Sequence, residues 1–281
     1  MQAQRIESLD DPRVAHYRNV KDARLRDEAG IFLAEGRLGV RRLLGNERFE
    51  TLSVFVTEAS LNGLADVLEP LGSQIPVYVA DQAVMNQIVG FSMHRGCVAA
   101  GARGRALELD ELLAGEVGTP GLVVVMDEVA NPENVGSVFR NALAFGATGV
   151  LLTRGCADPL YRKALRVSMG ACLKLPFARL PAWPEALVCL HSRGFRVVAL
   201  TTDPASREVA DFAEGPEVPA RLCLVVGSEE DGISADILGT ADAMLHIPMV
   251  DGIDSLNVAT ASGIALHRIA AVGPHRVTAR E

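Results

Sequence analysis

The sequence predicts an α/β protein whose carboxyl-terminal half is built on an open, mostly parallel sheet, and three observations carry that prediction. Short runs at 122–126, 149–152, 196–200, 222–226 and 244–247 are apolar and mostly rich in Val and Leu, the composition of strands covered on both faces. Helical periodicity lies between or after them, near 135–145, 160–169, 184–193 and 256–271, and alternating strand and helix is the pattern of a parallel sheet. Hydrophobic residues make up 49% of the 281-residue chain and charged ones 22%, enough for a sizeable core.

The amino-terminal half reads as a smaller α/β unit. Runs at 53–56 and 75–79 have strand character, whereas 36–44 and 61–68 have helical spacing. Between the halves, an Arg-Gly-Arg stretch, a short Leu/Glu/Asp segment and Gly118-Thr119-Pro120-Gly121 interrupt the pattern. The expected organisation is a domain at 1–104, a linker at 105–119 and a second domain at 120–281.

Charge and cysteine content narrow the function classes. A formal net charge of −8 excludes a protein whose whole surface is an electrostatic glove for nucleic acid. A local patch is compatible with it: residues 154–179 carry Arg154, Arg162, Lys163, Arg166, Lys174 and Arg179 against Asp158 alone, a net +5 that leaves −13 for the remainder. Such separation of sign is what a restricted phosphate-contacting surface needs, although solvated helix faces also cluster charge. Five scattered cysteines, without a C-x-x-C pair or a neighbouring histidine, suggest neither a disulfide framework nor a metal site. The first thirty residues are charged rather than apolar and no apolar run reaches membrane-spanning length, so the expectation is a cytoplasmic protein.

In open parallel sheets the ligand crevice lies beyond the carboxyl ends of the strands, and three segments there are unusual. The first contains Asn131-Pro132-Glu133-Asn134 and, six residues on, Arg140; Asn131-Pro132 starts a turn, and Asn134 is read as a candidate helix cap. A capped helix with Arg140 in a surface ion pair explains this segment equally well. The second, Gly227-Ser228-Glu229-Glu230-Asp231-Gly232, brackets a carboxylate with glycines. Ser228 with Asp231 fits a capping box, while Gly227 suggests close backbone approach to a ligand. The third runs from Ile247-Pro248-Met249 to Ser255-Leu256-Asn257-Val258 and leads into a helix apolar on nearly every side. Ser255 is the expected N-cap, Asn257 needs a polar partner, and a helix apolar all round suggests a dimer interface.

These residues carry a resemblance. The pattern N-P-x-N-x-G-x-x-x-R at 131–140, G-x-E-x-x-G at 227–232, and I-P-M followed by S-L-N-V at 247–258 resembles the SpoU family of RNA 2′-O-methyltransferases in the SPOUT superfamily. It covers roughly 122–271. More weakly, Ile6 to Arg13, Phe32 to Gly36 and His94 to Ala100 resemble the ribosomal-protein-like substrate-binding domain often fused to it. The resemblance implies a trefoil-knotted domain, a homodimer, S-adenosylmethionine as cofactor, and structured RNA, tRNA or rRNA, as partner. It implies Thr201, Gly227, Ile247, Met249, Ser255, Leu256 and Asn257 at the cofactor, and Asn134, Arg140, Glu229, Ser255 and Asn257 at the reaction centre. Arg154 and the face formed by Arg162, Lys163 and Arg166 are the expected RNA contacts. The family pattern makes Arg140 the group that activates the hydroxyl; since a guanidinium keeps its proton at neutral pH, phosphate binding and oxyanion stabilisation suit it better. Ser228 stands where many relatives have Asn, replacing an amide's hydrogen bonds with a hydroxyl's. Two rivals remain: an inactive RNA-binding protein keeping the fold, against which the joint presence of the five reaction-centre residues speaks, and a small-molecule enzyme on an ordinary doubly wound sheet, which needs a phosphate-cradling glycine loop absent from the sequence.

Overall fold

The computed structural model describes residues 3–18, 25–115, 119–215 and 218–277. In chain order the elements are β1 (Gln4–Arg5), β2 (Ile31–Glu35), α1 (Gly36–Leu44), β3 (Thr51–Val56), α2 (Glu58–Asn62), α3 (Ala65–Leu68), β4 (Val77–Val79), α4 (Gln82–Val89), β5 (Cys97–Ala102) and α5 (Leu109–Leu112). They continue with β6 (Gly121–Met126), α6 (Pro132–Ala144), β7 (Gly149–Leu152), α7 (Arg162–Val167), α8 (Ala171–Lys174), β8 (Phe177–Arg179), α9 (Trp183–Ser192) and β9 (Arg196–Leu200). The last are β10 (Arg207–Glu208), α10 (Val209–Glu214), β11 (Arg221–Val226), α11 (Ala235–Leu238), β12 (Ala243–His246) and α12 (Val258–Ala271), and short 3-10 and π turns fall between some of these.

The chain forms two compact units, one comprising Met1–Ala106 with Pro159–Lys174, the other Leu107–Asp158 with Leu175–Glu281. The first holds a five-stranded sheet in the order β1-β4-β3-β5-β2. β4 is parallel to β1 and β3, whereas β5 is antiparallel to β3 and β2. Its core gathers Ile6, Tyr17, Leu33, Phe55, Met85 and Val98, with the Tyr17 hydroxyl satisfied by Ser53 Oγ at 2.7 Å. The helix expected at 61–68 is two short helices, because the chain turns at Gly63 and Leu64 between them.

The second unit is a seven-stranded sheet, β10-β12-β9-β11-β6-β7-β8, in which every pairing is parallel. β6 and β11 are buried along their whole length, as expected for strands covered on both faces. β11 lies between β6 and β9, both of which precede it in the chain, and because these pairings are parallel the carboxyl ends of β6, β9 and β11 lie along one edge of the sheet. The loops at that edge place the site.

Two boundaries differ from the sequence reading. The stretch expected to link the domains carries α5, and Leu109 and Leu113 belong to the second unit's core. Arg221 fastens it: its guanidinium lies 4.4 Å from the Phe195 ring centre and donates to the carbonyls of Leu113 and Gly115 at 3.2 and 3.3 Å. Residues 116–118 of that stretch lie outside the described residues. The second difference is the departure of Pro159–Lys174 to the first unit, where Arg162 packs 4.6 Å from the Phe91 ring centre.

Candidate active site

The first strand-end loop begins at Asp127, a buried carboxylate whose Oδ2 accepts the Ser234 N–H at 2.8 Å. Asn131 caps α6, its side chain accepting the Glu133 N–H at 2.9 Å with Pro132 at the first helical position. The helix thus begins three residues before the expected Asn134 cap. This releases Asn134, buried in the first turn, to donate through Nδ2 to Glu229 Oε1.

Glu229 stands in a loop folded back on itself. Ser228 N–H donates to Gly232 O at 3.0 Å and Gly232 N–H to Ser228 O at 3.2 Å, while Ser228 Oγ accepts the Asp231 N–H at 3.1 Å. The expected capping interaction therefore forms, but it closes a bridged loop; the next helix starts only at Ala235. Gly227 has a corresponding explanation. A Cβ there would collide with the backbone of Gly232 and Ile233, so chain meeting chain, rather than a ligand's approach, requires this glycine.

Asn257, rather than Ser255, is the N-cap of α12. Its Oδ1 accepts the N–H groups of Ala259 and Thr260 at 2.9 and 3.4 Å, and its Nδ2 donates to Asn134 Oδ1 and Glu229 Oε1, both at 3.1 Å. One amide thereby starts a helix with its oxygen and ties the three segments together with its nitrogen. Glu229 Oε1 receives two amide donors.

Beside this cluster is a cavity of about 470 Å³, within the range of small-molecule sites. Of the seven residues assigned to the cofactor, six line it: Thr201, Gly227, Ile247, Met249, Ser255 and Leu256. Asn257 does not, and instead joins Glu229, which does. The sequence reading missed Leu200, Thr202, Ile233, Leu238 and Asp254 in the lining. Leu200 and Thr202 flank Thr201, which the resemblance had assigned to the cofactor; Leu238 comes from α11 and only topology brings it in. Glu229, Glu230, Asp231 and Asp254 give the lining four carboxylates and no basic residue, an environment favouring a cationic ligand.

The arginines are placed differently. Arg140 is exposed on α6, nine residues beyond its cap, outside the cavity lining, and without a side-chain partner among the described residues. The expected convergence of arginine, carboxylate and amides on one pocket is met by the carboxylate and the amides but not by Arg140: the side chain points to solvent from a helix whose buried face holds Asn134. Arg154, in the second unit, is also exposed. Lys163 and Arg166 are exposed and Arg162 half-buried, all on the segment packed with the first unit; the basic stretch at 154–179 is therefore divided between the two units. α12 is not apolar all round, since Thr260, His267 and Arg268 share its exposed face with Ile264. No helix among the described residues is long and apolar enough to cross a membrane, and none of their His, Cys, Asp and Glu side chains form a group able to hold a metal ion.

Comparison with known proteins gives the family. A tRNA/rRNA methyltransferase of Mycobacterium tuberculosis, itself uncharacterized, is 37% identical over 270 residues, 95% of this chain and 91% of its own. The 23S rRNA (guanosine-2′-O-)-methyltransferase RlmB of Ralstonia nicotianae is 36% identical over 66% of this chain and 73% of its own. Among solved structures, the AdoMet-bound rRNA methyltransferase of Sinorhizobium meliloti superposes with a TM-score of 0.80 at 25% identity, covering 99% of this chain and 100% of the other. The SpoU rRNA Methylase family model matches residues 121–267, which hold the whole hydrogen-bonded cluster and every residue lining the cavity, and the chain belongs to that family.

Proposed function

We propose that the protein transfers a methyl group from S-adenosylmethionine to a ribose 2′-hydroxyl in tRNA or rRNA. The observation that carries this is the Asn134, Glu229 and Asn257 cluster at the edge of a cavity built from three strand-end segments. The cavity suits the cofactor chemically. Leu200, Ile247, Met249 and Leu256 offer apolar surface, Thr201 and Ser255 offer hydroxyls, and the carboxylates suit a ligand with a sulfonium and an ammonium group. When bound, the cofactor supplies an electrophilic methyl group.

This chain's own residues then have to place the acceptor oxygen in line with that methyl, which is a matter of positioning. Asn134, Asn257 and Glu229 are held against one another and fix the wall beside which the ribose lies. Arg140 remains cationic, binds the phosphate next to the target ribose, and lowers the cost of negative charge developing on the oxygen. With no side-chain partner among the described residues, its guanidinium fork is available for phosphate.

The first unit, with 17 basic and 13 acidic residues, is net +4, whereas the second has 10 and 22 and is net −12; the first unit is accordingly the RNA-binding domain, with Arg162, Lys163 and Arg166 on it and Arg154 adding a contact from the second. Membership of the SpoU family is what supports a trefoil knot. A groove lined by Asn141, Thr260, Gly263, Ile264 and His267 is where a second copy docks to make a homodimer. The site of action is the cytoplasm.

The test is methyl transfer from tritiated S-adenosylmethionine to total RNA of a strain deleted for the gene, with the product mapped by resistance of the adjacent phosphodiester to alkali. A label at a 2′-oxygen is expected. Label on a base would overturn the ribose reading, and cofactor binding without transfer to any RNA would favour the inactive RNA-binding protein. Arg140→Lys in single turnover should lose most of the rate with cofactor affinity retained; a near wild-type rate would remove the bidentate phosphate role.

A further inference from the structure

The loop after β7 is tied at Thr153, Gly155, Cys156 and Ala157, on either side of Arg154. Thr153 N–H donates to Met126 O at 3.0 Å, Cys156 Sγ to the same oxygen at 3.1 Å, and Ala157 N–H to Val129 O at 2.9 Å. Arg179 Nη1 donates to the carbonyls of Thr153 and Cys156 at 2.8 and 2.9 Å. The remaining ties come from Glu128. Its N–H donates to Thr153 Oγ1 at 2.8 Å, and its Oε1 accepts from Thr153 Oγ1 at 2.9 Å and from the Gly155 N–H at 3.1 Å.

Glu128 takes an unusual backbone conformation to do this. Its φ is +54°, and among the described residues only Met169 is another non-glycine with positive φ. The left-handed region costs a residue with a Cβ on the order of 1–2 kcal/mol, and such outliers persist where the surroundings determine them. Gly155 has no positive φ that would call for glycine, yet a Cβ on it would land on the Glu128 carboxylate. The two residues are fitted to each other. What they enclose is Arg154, exposed and without a side-chain partner among the described residues. On the other side of Glu128, Asp127 holds the Ser234 N–H beneath the Glu229 loop, so the end of β6 fastens both loops to the start of the segment that carries Asn134.

We propose that Glu128 is a positioning residue that fixes the 153–155 loop and thereby presents Arg154 as a preordered phosphate contact for the RNA substrate. This rests on the reading of Arg154 as an RNA contact. An arginine on a backbone that is already ordered gives up less freedom on binding, which lowers the Michaelis constant for RNA without altering the transfer step or the cofactor cavity.

The experiment is a double-mutant cycle on the full chain, measuring methyl transfer from tritiated S-adenosylmethionine to total RNA from a gene-deleted strain. Arg154→Ala is expected to raise the KM for RNA by roughly 3- to 10-fold. Glu128→Ala should raise it by a similar factor with kcat and cofactor affinity unchanged, and the double variant should be no worse than Arg154→Ala alone. Glu128→Gln, which keeps the Oε1 acceptor, should recover most of the loss, and Gly155→Ala, which displaces the carboxylate, should reproduce it. Multiplying effects in the double variant, or a wild-type KM for Glu128→Ala beside a raised one for Arg154→Ala, would overturn the positioning role alone. An unchanged KM for Arg154→Ala would overturn the RNA contact itself and the proposal with it.

Discussion

Within the second unit, Asn134, Glu229 and Asn257 satisfy one another, whereas Arg140 and Arg154 reach solvent with no side-chain partner among the described residues. The amides and carboxylate beside the cavity are therefore held by one another. The two arginines are left open to solvent. Preorganisation of the first kind acts on the transition state; open cationic side chains act on encounter and affinity, and are weakened by salt. The two sets should separate under mutation.

The largest effect is expected at Asn257, which belongs wholly to the prebuilt side. Asn257→Ala should lower methyl transfer on the order of 100-fold and, by removing an N-cap, cost about 1 kcal/mol of stability. Asn257→Asp keeps the Oδ1 cap but replaces the donor to Asn134 and Glu229 with a second carboxylate oxygen facing Glu229, so activity should fall, while like-charge repulsion offsets part of the stability the cap retains. An active Asn257→Asp enzyme would show that the cluster is only a helix cap. Next comes Gly227→Ala, where the new Cβ pushes on the Gly232 backbone. A loss of about 1–3 kcal/mol in denaturant unfolding is expected, accompanied by weaker cofactor binding because the Glu229 loop forms the cavity wall. Unchanged cofactor affinity would separate loop closure from the cavity.

On the open side, replacing Arg162, Lys163 and Arg166 by Ala should leave cofactor binding intact and flatten the salt dependence of RNA binding by about 0.7 in logarithmic slope for each phosphate no longer neutralised. An unaltered slope would take RNA off this face. Arg162 stacks on Phe91, so Lys163→Ala with Arg166→Ala is the cleaner pair. The smallest effect concerns neither side and serves as a control. His275 is buried, its Nε2 hydrogen-bonded to Pro219 O at 2.8 Å, and burial pushes its pKa below the usual 6.5. The unfolded chain then binds a proton that the folded one resists, so stability is full above pH 6.5 and declines as pH falls through the lowered pKa. His275→Gln should flatten that decline in thermal melts without changing methyl transfer at neutral pH.

The sequence exposed much of this because the informative residues lie at strand ends. β7 and β9 coincide with the runs read at 149–152 and 196–200, and α1 with 36–44, where apolar content and period agree with burial. The three motif segments led to most of the cavity lining for the same reason: loops after parallel strands share one edge of a sheet. Caps were misplaced at both motif helices, since Asn131 and Asn134, or Ser255 and Asn257, are equivalent candidates until the partner of each side chain is known. Gly227 was assigned to a ligand because the collision that requires glycine comes from Gly232, five residues on in a reversed loop. The basic stretch read as one surface is divided because Pro159–Lys174 packs with the first unit, a long-range choice that local composition does not encode. Likewise, 105–119 reads as a linker until Arg221 is seen holding Leu113 and Gly115.

The most direct test of the central claim is calorimetric titration of the RNA-free protein with S-adenosylmethionine, comparing the wild type with Leu256→Arg in the cavity lining and with Arg140→Lys outside it. One site per chain is expected, weakened at least about tenfold by a guanidinium that occupies the cavity at position 256 and pairs with its carboxylates, and unaffected at position 140. Binding that ignores Leu256→Arg, or that collapses with Arg140→Lys, would contradict the assignment of the cofactor to this cavity and of Arg140 to the RNA.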